Sequence, residues 1–203
     1  MNIVCFGDSI THAAGFAEKD RWPTVLQNTL ETWRPGMYAV YNRGIGGNTT
    51  AQGYDRFEAD ILPLLPGLLL LEFGFNDANV RDWAQKPRVG LQEFVANIQE
   101  FCRIATRHGG RPVLLINHSI DRPGIQANGR SYQDNFQPYN DALKDLADSQ
   151  GLCTIDLPAL MKERHIELAE FLSEDGLHLS VKGNHLYAQM VADGLKTLPE
   201  ATN

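Results

Sequence analysis

Leu68-Leu69-Leu70-Leu71 and Val113-Leu114-Leu115-Ile116 are unbroken apolar runs, each followed closely by polar residues, Gly74-Phe75-Asn76-Asp77 in one case and Asn117-His118-Ser119 in the other. Short runs that do not alternate fit strands of a parallel sheet covered by helices on both faces, so neither belongs at an exposed edge. With three further runs they give five predicted strands: Ile3–Phe6, Tyr38–Tyr41, Leu68–Phe73, Pro112–Asn117 and Leu152–Ile155. Between them the apolar period becomes helical. Leu91, Phe94, Val95, Ile98, Phe101, Cys102 and Ala105 form one stripe, stopped by Gly109-Gly110. Trp22, Val25, Leu26, Leu30 and Trp33 form a second, with Pro23 in its first turn. Tyr139, Leu143, Leu146 and Ala147 form a third, predicted to begin after Pro138, and Ser180 is the expected cap of a last helix carrying Leu186, Met190, Val191 and Leu195.

Successive parallel strands need crossover helices, so the expected class is α/β: a three-layer α/β/α sandwich around a five-stranded parallel sheet, flavodoxin-like in style. The 203 residues suit one domain, expected over 1–203, with neither internal repeats nor low-complexity blocks to divide it. Hydrophobic residues make up 43% and charged residues 21%, enough apolar material for a core and too much for a disordered chain.

A formal charge of −7 leaves no basic surplus to neutralise phosphates, which argues against nucleic acid or an anionic membrane as partner and favours a neutral or cationic small molecule. The longest greasy stretch, Ile61 to Leu71, is interrupted by Pro63, Pro66 and Gly67 and falls short of the ~20 residues that span a bilayer. The first residues lack the basic and apolar regions of an export signal, so a cytoplasmic location is expected. Cys5, Cys102 and Cys153 are odd in number and widely spaced, which fits free thiols rather than a disulfide framework or a zinc knuckle.

Open parallel sheets bind ligands beyond the carboxyl ends of their strands. Those ends are Gly7-Asp8-Ser9-Ile10-Thr11, Asn42 through Asn48, Gly74-Phe75-Asn76-Asp77 and Asn117-His118-Ser119, and Asp175-Gly176-Leu177-His178 precedes the last helix and can reach the same rim. Ser9 follows a strand in a tight turn that exposes its hydroxyl, a placement suited to a nucleophile once an imidazole lies within hydrogen-bond reach. Asp175 and His178 are spaced so that the carboxylate can meet Nδ1 and leave Nε2 free for Ser9. Acyl transfer also needs donors aimed at the developing oxyanion. Asn76 offers an uncharged amide, Gly47 a backbone N–H that can approach closely, and Ser9 its own N–H. Taken singly, each of these groups is as well explained by a turn.

In order along the chain, Gly7-Asp8-Ser9-Ile10, Asn42 through Gly47, Gly74-Phe75-Asn76-Asp77 and Asp175-Gly176-Leu177-His178 resemble the four blocks of the SGNH hydrolases, also called GDSL esterases and lipases. The resemblance spans nearly the whole chain. It implies the fold above and a carboxylic ester hydrolase with Ser9, His178 and Asp175 as catalytic residues. Ser9, Gly47 and Asn76 would form the oxyanion hole, with no metal and no organic cofactor. Two departures stand out: Leu179 occupies the place where the family often has proline, and Gly44, Gly46 and Gly47 crowd the second block, where Gly47 is preferred because it stands five residues after Asn42.

Members of that family cleave acetylated sugars, aryl esters, thioesters and lysophospholipids, and a fold does not choose among them. The expected substrate is a small soluble ester such as an acetylated carbohydrate, with a thioesterase or lysophospholipase as the alternative. Two readings lie outside that class. A metal-dependent phosphoesterase is echoed by Gly7-Asp8, Asn76-Asp77, Asn117-His118 and Gly183-Asn184-His185, and a catalytically silent carbohydrate-binding module would keep the fold alone. His12 and His118 are candidates to line the pocket, as are Phe16, Phe75, Val80 and Trp83; Arg43 is a weaker one. His108 and His165 are expected at the surface, and His185 in the last helix.

Overall fold

The computed structural model describes residues 1–198. Five strands, β1 (Asn2–Gly7), β2 (Ala39–Gly44), β3 (Gly67–Glu72), β4 (Arg111–Ile116) and β5 (Cys153–Asp156), pair in parallel in the order β2-β1-β3-β4-β5. Each predicted strand is present, with ends displaced by one residue except at β2, which runs three residues beyond Tyr41 to Gly44. The runs of four consecutive apolar residues occupy β3 and β4, both interior. Every residue of β3 is buried, as two covered faces require.

The helices are α1 (Ser9–His12), α2 (Trp22–Trp33), α3 (Thr50–Ile61), α4 (Phe75–Ala78), α5 (Leu91–Arg107), α6 (Tyr132–Gln150), α7 (Leu157–Glu163), α8 (Leu168–Phe171) and α9 (Val181–Thr197). α2 packs on α9 over one face of the sheet, and α5 packs between α3 and α6 over the other. Ser180 caps α9 as expected, accepting from Gly183 N at 2.8 Å. Buried Asn184, part of the metal-like echo in the sequence, accepts from Trp22 N at 3.1 Å and so fixes the start of α2.

Two helices differ from expectation for identifiable reasons. α6 starts at Tyr132, not after Pro138, so the proline lies inside it. Proline removes the hydrogen bond that the carbonyl of Asp134 would receive, and Arg130 Nη2 donates to that carbonyl at 2.7 Å instead. At the front of the helix Ser131 and Asp134 form a capping box that sets its start. α3 has no strong apolar stripe. Its buried face is Thr50, Gly53, Phe57 and Ile61, and Gly53 lets the helix approach Phe73, which a Cβ there would meet at 3.1 Å. Phe6, Phe57, Phe73 and Phe101 cluster beneath it, Phe57 and Phe101 stacked at 4.9 Å between ring centroids.

β1 has β2 on one side and β3 on the other, so the strand order reverses at β1 and a crevice opens at the carboxyl ends of β1 and β3. Ser9 and Asn76 both lie there. The end of β4 does not contribute to the crevice, which corrects the expectation that all five polar segments share one rim. Asn117 and His118 are fully buried: Asn117 Nδ2 donates to Phe73 O at 2.7 Å, and His118 Nε2 is 2.9 Å from Leu177 O, with its ring against Phe75 and Phe171.

Burial pushes the His118 imidazole down to about 4. Below about 6.5 the unfolded chain takes up a proton that the folded protein refuses until about 4, so this residue removes stability as pH falls through that window, by about 3 kcal/mol at most. Asp8 and Asp77, raised by burial to about 6, act oppositely across the same range because the folded protein protonates them first. Comparison with a variant isolates the imidazole. His118→Gln is expected to lose less stability than the parent between pH 7 and pH 4.5 in urea unfolding; equal losses would contradict the buried neutral ring.

Candidate active site

Ser9 opens α1 directly after β1. Asp8 caps that short helix by accepting from Ile10 N at 3.0 Å, which turns the chain sharply and leaves the Ser9 hydroxyl at the crevice. Ser9 Oγ lies 2.9 Å from His178 Nε2, and His178 Nδ1 lies 2.5 Å from Asp175 Oδ2. The imidazole thus bridges hydroxyl and carboxylate, the arrangement the spacing predicts. Asp175 is held by its own loop: Oδ1 accepts from Ser173 Oγ at 2.8 Å, Leu177 N at 3.0 Å and His178 N at 2.9 Å. Partial burial acts to raise this carboxyl, but the hydrogen bonds from His178, Leu177 and Ser173 outweigh it and hold it well below the usual carboxylate range. It is a permanent anion near neutral pH, which favours the tautomer with Nδ1 protonated and Nε2 free to accept.

The loop of Asp175 is stitched to its neighbour. Asp121 N donates to Gly176 O at 2.9 Å, and Gly176 adopts φ +67° with its α-carbon pressed on the Asp121 carbonyl, which a Cβ would meet at 2.2 Å. Only glycine satisfies both the left-handed backbone and the close approach.

The three glycines after β2 separate by environment. Gly44 is buried against the backbone of His12, where a Cβ would collide at 2.2 Å, so its role is packing. Gly46 N donates to His12 Nδ1 at 3.3 Å and is already engaged. Gly47, at φ +76° with open space beside it, lines the same hollow as Ser9 and Asn76. Asn76 lies in α4, entered through Gly74 at φ +131°. Its Nδ2 donates to Asp8 Oδ2 at 2.9 Å, leaving the second amide proton for a ligand.

The sequence reading misses Arg88 and the Glu72 that is buried beside Asp8. Arg88 Nη1 donates to Asn76 Oδ1 at 3.2 Å and to Gly47 O at 3.0 Å, while Nη2 reaches Gln52 Oε1 at 3.1 Å. One guanidinium therefore ties the loop that carries Gly47 to the short helix α4 that carries Asn76 and fixes which way the amide faces. No periodicity marks Arg88, which sits in coil between α4 and α5. Glu72 Oε2 accepts from Thr11 Oγ1 at 2.9 Å and from Asp8 N at 3.3 Å. Burial, then the neighbouring Asp8 carboxylate, pushes Glu72 well above the usual carboxylate range. The acid in an otherwise apolar strand was the available signal. Asp77 is structural: its Oδ1 accepts from Thr50 N at 2.9 Å and Thr50 Oγ1 at 2.5 Å, joining α4 to the start of α3.

Two hollows flank Ser9. One of about 290 Å³ is mostly apolar, bordered by Ile10, Ala13, Ala14, Phe16 and Leu179; His12 also lines it. The other, about 210 Å³, runs past Gly47 and Asn76 to Asn79, Arg122 and Tyr132, with Phe75 in its wall. His118 lines neither. Val80 and Trp83 border a further hollow beyond Asn79, and Arg43 turns to the carbonyl of Asp60. No three His, Cys, Asp or Glu side chains group as a metal ion would require among the described residues, and His185 pairs with Asp20 at 3.2 Å.

Fold and sequence together define the class. The sequence model of the GDSL-like lipase/acylhydrolase family matches residues 5–186, and the chain belongs to that family; it is a carboxylic ester hydrolase. Among its relatives, the uncharacterized lipoprotein YqeF of Bacillus subtilis is 30% identical, over 96% of this chain and 88% of that protein. An isoamyl acetate-hydrolyzing esterase 1 homolog of Bos taurus is 29% identical, over 90% and 76%. An acetylxylan esterase from Geobacillus stearothermophilus superposes with a TM-score of 0.78 at 20% identity, covering 97% of this chain and 94% of the other, a likeness of fold. Among the described residues no helix is long and apolar enough to cross a membrane. A lipoprotein among the relatives gives no support to the expected cytoplasmic location.

Proposed function

We propose that the protein hydrolyses a small carboxylic ester through an acyl-enzyme formed on Ser9. The observation that carries this reading is His178, whose two ring nitrogens lie 2.9 Å from the Ser9 hydroxyl and 2.5 Å from the Asp175 carboxylate. His178 removes the Ser9 proton as Oγ attacks the ester carbonyl, and Asp175 stabilises the imidazolium that results. The N–H groups of Ser9 and Gly47 and the free amide proton of Asn76 receive the oxyanion. His178 then protonates the leaving alcohol, and water, activated by the same imidazole, releases the acid. We read residues 1–203 as one hydrolase domain, supported by a single apolar cluster from Ile3 to Ala192.

Hollows of about 210 and 290 Å³ lie below the ~300–1,000 Å³ usual for drug-sized ligands, which favours a short acyl group. An acetylated sugar fits the polar side of the site. Nitrophenyl esters of increasing chain length are expected to give the highest kcat/KM at acetyl or propionyl and to fall steeply by octanoyl, with acetate released from acetylated sugars. A maximum at long chains would overturn the short-acyl reading.

Arg88→Gln tests the positioning of the oxyanion donors. Loss of the charged hydrogen bonds to Asn76 and Gly47 is expected to lower kcat about tenfold while leaving KM for nitrophenyl acetate little changed, because the amide and glycine are needed most in the transition state. A raised KM at unchanged kcat would assign Arg88 to substrate binding.

A further inference from the structure

The 210 Å³ hollow at Ser9 does not end at Asn79, Arg122 and Tyr132: those residues also line an adjoining hollow of about 340 Å³, which continues to Arg81, Asp82 and Trp83. Three features distinguish this trough. Trp83 is 79% exposed, an indole left bare beside the site. Arg81 rests over Trp83 and Arg122 over Tyr132, each guanidinium carbon 5.4 Å from the ring centroid, and neither arginine has an ion-pair partner among the described residues. Tyr132 is itself fixed, its hydroxyl donating to Phe75 O at 2.6 Å. With Asp82 the only acidic side chain on the lining, the trough carries a net positive charge in a chain whose formal charge is −7.

Neither guanidinium forms an ion pair among the described residues, so each can offer a planar edge that matches a carboxylate with two parallel hydrogen bonds. A bare indole suits the apolar face of a sugar ring. We infer that the alcohol half of the substrate is an acidic sugar, its ring against Trp83 and its carboxylate between Arg81 and Arg122. This rests on the acetyl-ester reading, since an acetyl group has no charge of its own and the anion must then sit on the alcohol. The neutral or cationic substrate expected from overall charge is replaced by an anionic one, because the local field at the trough opposes the global one.

The test uses matched aryl esters: 4-acetoxybenzoate against its neutral methyl ester, and nitrophenyl hemisuccinate, with the carboxylate on the acyl side, against its methyl ester. For each pair the ratio of kcat/KM, charged over neutral, is measured in the parent and in the Arg81→Gln/Arg122→Gln variant, which cancels intrinsic reactivity. The expected ratio for the acetoxybenzoate pair is about tenfold higher in the parent than in the variant, the size of one exposed charge-assisted contact, and it shrinks in 0.5 M salt. Equal ratios in the two proteins, or a charge preference confined to the hemisuccinate, would overturn the inference while leaving the esterase reading intact. Absence of hydrolysis of all four esters by the parent would strike the esterase reading, and the inference with it.

Discussion

Ser9→Ala is expected to abolish ester hydrolysis, lowering kcat by on the order of 10⁶-fold, with no change in thermal unfolding beyond a degree or two. The size of the loss follows from how such groups act: removing the nucleophile disables His178 and Asp175 as well, leaving only the oxyanion donors and binding to act on the ester. The fold should tolerate the change because Ser9 Oγ is bonded to the half-exposed ring of His178 and holds no buried element in place. Steady-state assays on nitrophenyl acetate, with an organophosphate adduct sought on Ser9 of the parent by mass spectrometry, check both halves. Near-normal turnover in the variant would refute the nucleophile assignment.

Asn76→Ala should cost about 10²–10³-fold in kcat, the usual penalty for one oxyanion donor, or about 2.7–4 kcal/mol of barrier. The amide is prepared for that task from both ends. Arg88 donates to its oxygen and Asp8 accepts one of its protons, so the remaining proton keeps one direction without rearrangement during the reaction. Burial and hydrogen bonding to Ile10 and Asn76 also tie Asp8 to the turn that presents Ser9. A variant with unchanged kcat would remove Asn76 from the chemistry and leave the Ser9 and Gly47 N–H groups as the candidate donors.

Much of the frame was legible because it rests on short-range signals. Continuous leucines in β3 and β4 reveal two covered faces, and Ser180 before an apolar stripe reveals a capped helix. Ser9 was readable as a candidate because it follows a strand at the carboxyl edge of the sheet, and Asp175 and His178 because of their spacing just before the last helix. What escaped was long-range or self-compensating. α3 hides its apolar face behind Thr50 and Gly53, and only the capping box of Thr49 and Gln52 betrays it. Pro138 reads as a helix boundary until Arg130 is seen to serve the carbonyl it frees. His118 stands two residues past β4 just as Ser9 stands two past β1, but Phe75 and Phe171 close over it, and only tertiary packing separates the two fates. Arg88 acts across three chain segments and leaves no local trace.

The seam between Asp121 and Gly176 constrains how such an enzyme can change its diet. Arg122, at the mouth of the trough, is covalently next to the residue whose backbone is buttoned to the loop of Asp175 and His178. Exchanging the 119–130 segment for one of different shape would drag the proton relay with it unless position 176 stayed glycine and the graft returned an amide and a carbonyl to the same place. New tastes are therefore most readily acquired by side-chain replacement at positions 81, 83 and 122, with the backbone of the two loops inherited as one piece.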